Sequence, residues 1–256
     1  MSPGAPVRDA VCAVIPCFNE APAIGALVTA ARAFVPEILV VDDCSTDATQ
    51  TIAQAAGAIV VRHAANQGKG SALTTGFRTA LERGFKAVVT LDGDGQHDPG
   101  EIALFLETYS RGDCDLVLGN RMNDTRSMPP VRRMTNRVTS WLLSRLAGRT
   151  LHDTQCGFRL VDLNFWQGLS LAGRHFDLES ELLLQACRQG ARIREVRVRT
   201  IYFSASNSKI RPCADTLRFG RLLWRSAVRT PVALKLPRPH TEAAAKPNAY
   251  SPLGPS

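Results

Sequence analysis

Between residues 11 and 119, short apolar runs alternate with longer stretches whose apolar positions recur every three or four residues. The runs are "VCAVI" (11–15), "EILVV" (37–41), "AIVV" (58–61), "AVVTL" (87–91) and "DLVLG" (115–119). They are β-branched and lack strict polar alternation, the pattern of strands covered on both faces. Between them lie "APAIGALVTAARAF", "DATQTIAQAAG" and "GSALTTGFRTALERG", whose spacing predicts amphipathic helices. Ser45 or Thr46 is placed to cap the second helix, and Pro99 suits the first position of a helix after Asp98. Gly57 and Gly84 fall where helices end. Strand, helix and strand repeated in this order predict an α/β domain with right-handed crossovers and a mainly parallel sheet.

Polar clusters follow each apolar run. "PCFNE" (16–20), "DDCSTD" (42–47), "NQGKG" (66–70), "DGDGQH" (92–97) and "NR" (120–121) all fall at the carboxyl ends of predicted strands. In an open α/β sheet that rim is where ligands bind.

Beyond Arg121 the character changes. "PPVRRMTNRVTSWLLSRLAGR" (129–149) sets Val131, Met134, Val138, Trp141, Leu142 and Leu146 on one side, with Arg132, Arg133 and Arg137 away from them. "TLRFGRLLWRSAVR" (216–229) repeats the style. Each strip reads either as a membrane-interface helix or as a core helix with solvated arginines, and in both cases several apolar positions are expected to pack on the sheet. The expected organisation is a flexible segment over residues 1–9 and one domain over 10–226. Its amphipathic helices at 127–150 and 214–229 precede a disordered Pro- and Ala-rich tail over 231–256.

A chain of 256 residues can bury a full core. Its formal charge of +8 favours anionic partners: nucleic acid, phosphorylated substrates or an acidic membrane surface. Nucleic acid is disfavoured, because the acids gather on the ligand rim and no aromatic–basic alternation marks a stacking platform. Seven cysteines without a CxxC pair argue for reduced thiols in the cytoplasm. The opening "MSPGAPVRDA" lacks a basic-then-apolar leader. No run approaches the roughly 18 apolar residues of a membrane span. The expectation is a cytoplasmic protein, soluble or peripheral on the inner face of the membrane.

Two aspartates one residue apart, Asp92 and Asp94, carry the most specific chemistry. A calcium loop starting at Asp92 would need glycine at its sixth position and glutamate at its twelfth, where His97 and Ala103 stand. That reading fails. At the ligand edge of a sheet, with Gly93 and Gly95 allowing close approach, the pair suits Mg²⁺ or Mn²⁺ on a diphosphate. Asp42 and Asp43 close the second strand, where a carboxylate can receive a base or a ribose. "NQGKG" is not a GxxxxGK[ST] phosphate loop; Lys69 in it either touches phosphate or belongs to a tight turn before a helix.

Together, "IPCFNE", "VVDDCSTDAT", "NQGKGSALTTGF", "TLDGDGQHDP" and "LGNR" resemble the ordered motifs of inverting family 2 glycosyltransferases. The subgroup most similar is that of dolichyl-phosphate mannose synthase and bacterial polyprenyl-phosphate sugar transferases. "DTQCGFRL" (153–160), "FDLESELL" (176–183) and "SASNSKIRPCADTLRF" (204–219) extend the likeness. The resemblance implies a GT-A fold and a nucleoside-diphosphate sugar donor. It would place Pro16, Phe18, Asn19, Glu20, Asp42, Asp43, Lys69, Asp92 and Gly93 around the nucleotide sugar. Asp92, Asp94 and Gln96 would hold the divalent cation. Arg121, Lys209 and Arg211 would meet phosphate charge, and Arg133 and Arg137 would lie on the helix that brings lipid phosphate to the site. Asp94, Arg121, Glu179 and Lys209 would be the catalytic groups.

The acceptor decides whether a base is needed. A hydroxyl must lose a proton to a positioned carboxylate, and "FDLESE" offers Asp177, Glu179 and Glu181, which equally suit the start of a helix. A phosphomonoester is already largely ionised near neutrality and needs cations instead. The arginines and the "SKIRP" segment favour a polyprenyl phosphate acceptor. The rivals are a transferase acting on a hydroxyl and a non-catalytic sugar-nucleotide binder.

Overall fold

A computed structural model describes residues 7–201, apart from 124, 126, 127, 174 and 176. A 3₁₀ turn (Val7–Ala10) overlaps the segment expected to be flexible and leads into the first strand. The strands are β1 (Val11–Cys17), β2 (Ile38–Asp42), β3 (Ile59–Arg62), β4 (Ala87–Thr90), β5 (Leu116–Asn120), β6 (Arg159–Asp162) and β7 (Ile193–Arg197). The helices are α1 (Ala21–Ala31), α2 (Thr49–Ala55), α3 (Lys69–Glu82), α4 (Ile102–Ser110), α5 (Pro130–Ala147), α6 (Leu163–Gln167) and α7 (Asp177–Arg188). Lys209, Arg211, the strip at 214–229 and the tail at 231–256 lie outside the described residues.

The strands form one sheet in the order β3-β2-β1-β4-β6-β5-β7. The β1–β2, β1–β4, β2–β3 and β5–β7 pairs are parallel. Strand β6 is antiparallel to both β4 and β5. It therefore separates β4 from β5 while keeping them in the same direction, and the five predicted polar loops emerge on one edge. This is the GT-A type arrangement, a mostly parallel sheet with helices on both faces.

Two-sided burial explains why the strands lack polar alternation. Val11, Ala13 and Ile15 of β1 pack with Ile24 and Val28 of α1 and with Ile102 and Phe105 of α4. Cys12 and Val14 pack with Leu73 and Phe77 of α3 and with Leu182 and Leu183 of α7. Helix α3 lies close on the sheet because Gly76 has no side chain: a Cβ there would stand 2.4 Å from Val14 Cγ1.

Two local expectations need correction. Ser45 and Thr46 do not cap α2, because the Ser45 hydroxyl accepts the Asn19 N–H at 2.9 Å instead. Asp47 takes the Thr49 N–H at the start of that helix. Helix α5 is the larger surprise. Val131, Met134, Val138 and Trp141 are 73%, 65%, 52% and 57% exposed, so that apolar row does not pack on the sheet. The buried positions are Asn136, Ser140 and Leu143.

Candidate active site

The first loop of the site is built from the ends of β1 and β2. Asn19, in the left-handed region at φ 55°, accepts the Thr46 N–H at 2.8 Å through Oδ1. The Glu20 N–H donates to Thr49 Oγ1. These bonds pin "CFNE" against "DDCSTD", with Phe18 at the rim and Pro16 buried in β1. Asp42 is fully buried; Oδ1 accepts the Ser45 N–H at 2.9 Å and Oδ2 lies 3.3 Å from Arg62.

Asp43, expected beside the nucleotide sugar, has partners within the protein. Its carboxylate accepts the N–H groups of Gln67 and Gly68 at 2.8 and 2.7 Å and meets His63 Nδ1 at 2.8 Å. His63 Nε2 lies 3.0 Å from Thr75 Oγ1 on α3. Asp43 thus ties the end of β2 to the "NQGKG" loop and sets where α3 begins. Gly68, at φ 95°, makes that turn, and Lys69 is the first residue of the helix.

Lys69 reaches across the rim. Its Nζ lies 2.6 Å from Asp92 Oδ1 and 3.0 Å from Glu179 Oε2, three groups brought from α3, the loop after β4 and α7. Burial alone would lower the lysine, but Asp92 and Glu179 more than offset it and hold it above its ordinary value. For Asp92, burial alone would raise the carboxyl, and the Lys69 ammonium reverses this, keeping it well below the usual carboxylate range. Of the three acids in "FDLESE", only Glu179 meets this cluster. Glu181 accepts the N–H groups of Ala172 and Gly173, and Asp177 accepts that of His175.

The loop carrying the paired aspartates is shaped by contacts no motif announced. His97 Nδ1 accepts the Asp92 N–H at 3.1 Å, which leaves the ring proton on Nε2. Burial lowers the imidazole below its ordinary value, so it stays neutral. Its ring stacks on Phe158, which stacks on Phe105. Gly93 lets the loop lie on β1: a Cβ there would stand 2.7 Å from Cys17 Sγ. Gly157 does the same for Asp92, since a Cβ would stand 2.5 Å from Oδ1. Asp94 Oδ1 accepts the Gln96 N–H at 3.0 Å, and the Gln96 carbonyl accepts the Ile201 N–H at 2.9 Å.

Asp92, Asp94 and Gln96 supply hard oxygen donors on one short loop. Among the described residues no group of three or more His, Cys, Asp or Glu forms a closed metal cage. Two carboxylates and a carboxamide on one loop suit a Mg²⁺-like ion, which takes one or two carboxylates and leaves its other positions to phosphate oxygens and water.

Arg121, just past β5, is held by Asp153. The Asp153 carboxylate accepts the Arg121 N–H, Nε–H and Nη2–H at 3.0, 2.7 and 2.9 Å. Asn136 of α5 donates to the same carboxylate at 2.9 Å. Ser140, one turn on, bonds Asn136 Oδ1 and Thr154 Oγ1, each at 3.0 Å. Arg132 Nη1 approaches Gln96 Oε1 at 3.4 Å. The inner face of α5 is therefore joined to the site by hydrogen bonds, beside the buried Leu143. Arg133 is half-buried and Arg137 exposed on that helix. Among the described residues no helix is long and apolar enough to cross a membrane.

Comparison with known proteins gives the family and the fold. The chain is 28% identical over 219 residues to UDP-N-acetylglucosamine–dolichyl-phosphate N-acetylglucosaminyltransferase of Methanococcus voltae, covering 77% of this chain and 87% of the relative. It is 29% identical over 213 residues to undecaprenyl-phosphate mannosyltransferase of Micrococcus luteus, covering 78% and 87%. Its fold matches glucosyl-3-phosphoglycerate synthase of Mycobacterium tuberculosis, crystallised with Mn²⁺, UDP and glucosyl-3-phosphoglycerate. That match has a TM-score of 0.67 at 19% identity, over 86% of this chain and 79% of that one. Residues 12–165, from β1 through the paired aspartates and the loop that holds Arg121, match the model of glycosyl transferase family 2, and the chain belongs to that family of enzymes.

Proposed function

We propose that this glycosyltransferase moves one sugar, with inversion, from a nucleoside diphosphate to a polyprenyl phosphate at the inner face of the membrane. The observation that carries the acceptor is helix α5. Its outward side is the apolar row Val131, Met134, Val138 and Trp141, its inward side is Asn136 and Ser140, and the arginines at 133 and 137 lie beside that row. An apolar face with adjacent cations binds an anionic lipid surface through buried area and charge. The inward bonds link that surface to Arg121. Two relatives named for dolichyl and undecaprenyl phosphate point the same way.

In this reading Pro16, Phe18, Asn19, Glu20 and Asp42 line the nucleoside side of the site. Asp92, Asp94 and Gln96 would hold Mg²⁺ or Mn²⁺, which supplies charge to the departing diphosphate. Lys69, kept protonated between Asp92 and Glu179, presents its ammonium to the same developing charge. An acceptor phosphate oxygen attacks the anomeric carbon in line as the bond to the diphosphate breaks. The ionised acceptor has no proton to lose, so Glu179 serves to hold Lys69 rather than as a base. Arg121, Arg133 and Arg137 orient the acceptor phosphate. Lys209 and Arg211, expected to meet phosphate charge, lie outside the described residues.

One observation favours the hydroxyl-acceptor reading: Glu179 is a carboxylate at the centre of the site. The two readings separate by kinetics. With a lipid phosphate acceptor, Glu179→Gln lowers kcat about tenfold by loosening Lys69, while Arg133→Glu with Arg137→Glu raises the acceptor KM. If Glu179 is a general base, Glu179→Gln costs on the order of 10³-fold, and the arginine pair is dispensable.

A further inference from the structure

Arg159, the first residue of β6, is a buried cation with an unusual set of partners. It is 3% exposed, and among the described residues no carboxylate lies within ion-pair distance of it. Its guanidinium instead donates to three backbone carbonyls: Nε to Cys156 at 2.8 Å, Nη2 to Thr154 at 2.8 Å and Nη1 to Glu179 at 2.9 Å. A desolvated charge is costly unless hydrogen bonds replace its hydration. The planar fork of arginine reaches the three carbonyls from three separate nitrogens, whereas the donors of lysine all radiate from one.

The three carbonyls belong to the segments that carry the site. Thr154 and Cys156 lie within the loop whose Asp153 holds Arg121 and whose Gly157 lies against Asp92. The same loop is fastened on its other side, where Thr90 Oγ1 donates to the Gly157 carbonyl at 2.7 Å. Glu179 stands in the first turn of α7, and its side chain meets Lys69. One guanidinium therefore grips the backbone under Asp92 from one side and the backbone of Glu179 from the other.

We infer that Arg159 is a positioning residue for the Asp92–Lys69–Glu179 cluster, clamping the 153–158 loop to α7 so that both carboxylates meet one ammonium. It touches no substrate and acts through Glu179 and Gly157. The inference rests on the reading of Lys69 and Glu179 as groups that act on the donor diphosphate.

A double-mutant cycle tests it, with kcat, donor KM and the thermal midpoint measured for Arg159→Lys, Glu179→Gln and the combination. Arg159→Lys keeps the charge but releases at least one carbonyl, and misplacing a group by about 1 Å costs on the order of 10²-fold. The expected result is a large fall in kcat with the donor KM little changed, and a combined loss well short of the product of the two single losses. Independent, multiplicative losses would overturn the clamp while leaving the donor-site reading intact. A Glu179→Gln enzyme with full kcat would overturn that reading and the inference with it. If Arg159→Lys does not fold, Glu179→Asp takes its place. It keeps the carbonyl bond to Arg159 while withdrawing the carboxylate by one methylene. A kcat loss comparable to that of Glu179→Gln supports the need for placement, and full activity removes it.

Discussion

Adding a single methyl group at position 157 tests how closely the site is built. A Cβ on Gly157 would lie 2.5 Å from Asp92 Oδ1, 2.6 Å from Oδ2 and 2.8 Å from Cγ. Ordinary contact begins at about 3.5 Å, so the carboxylate would have to retreat by about 1 Å. Its surroundings oppose that movement, because Lys69 holds Oδ1 at 2.6 Å and the buried His97 holds the Asp92 N–H. Gly157 is not in the left-handed region, so alanine is tolerated by the backbone and the effect falls on Asp92. Gly157→Ala is expected to stay folded, with stability changed by about 1 kcal/mol or less, since the lost chain freedom partly offsets the clash. Its kcat should fall on the order of 10²-fold, equivalent to about 2.7 kcal/mol of transition-state stabilisation. Steady-state kinetics at saturating Mn²⁺, beside a thermal melt, measures both. A folded variant with undiminished kcat would refute the claim that Asp92 must stay where Gly157 allows it.

Three further outcomes follow from the geometry. Lys69→Met leaves two carboxylates facing each other and should cost about 3 kcal/mol at pH 7. Because Asp92 is held below its unfolded value and Lys69 above its own, that contribution is complete between about pH 5 and 10, and it fades below about pH 4, where the unfolded chain takes up a proton that folded Asp92 still resists. Urea midpoints at pH 7 and pH 3 should therefore show a deficit that narrows in acid, and an equal deficit at both would contradict the pairing. Asp94→Ala should abolish transfer with little change in melting temperature, since among the described residues Asp94 makes only a local bond to Gln96; undiminished turnover in metal-supplemented assays would remove Asp94 from the metal site. Val138→Glu with Trp141→Glu alters two exposed side chains, so stability should move by no more than about 0.5 kcal/mol. Co-sedimentation with anionic vesicles should fall steeply, and unchanged sedimentation would detach α5 from the membrane reading.

Much of the frame was legible because parallel strands buried on both faces announce themselves as apolar runs, and the rim follows from their common direction. Strands β6 and β7 were not. "RLVD" is four residues long inside a polar motif, and "IREVR" is a half-exposed edge strand studded with charge. The position of β6 between β4 and β5 depends on pairings some seventy and some forty residues apart in sequence, which no local pattern encodes. Helix α5 was predicted with its apolar side correctly grouped, yet that side faces outward. Periodicity defines a face without saying what it meets, and here the neighbour is a polar loop that supplies Asp153 and Thr154. Asp42 and Asp43 are adjacent acids at a strand end, so their side chains diverge, and only the fold shows that Asp43 serves the "NQGKG" loop. Among three acids at alternate positions, the first turn of α7 turns Glu179 alone toward Lys69. His97 was visible only as a residue that spoiled a calcium loop; its stacking on Phe158 needed the sheet to close.

The most direct test of the account is nucleoside-diphosphate release from UDP- and GDP-sugars with Mn²⁺ present, with and without undecaprenyl phosphate in anionic vesicles. The account predicts release that depends on the lipid phosphate, with the sugar recovered on that phosphate. Release that is indifferent to the lipid, with sugar appearing on a hydroxyl acceptor, would contradict it.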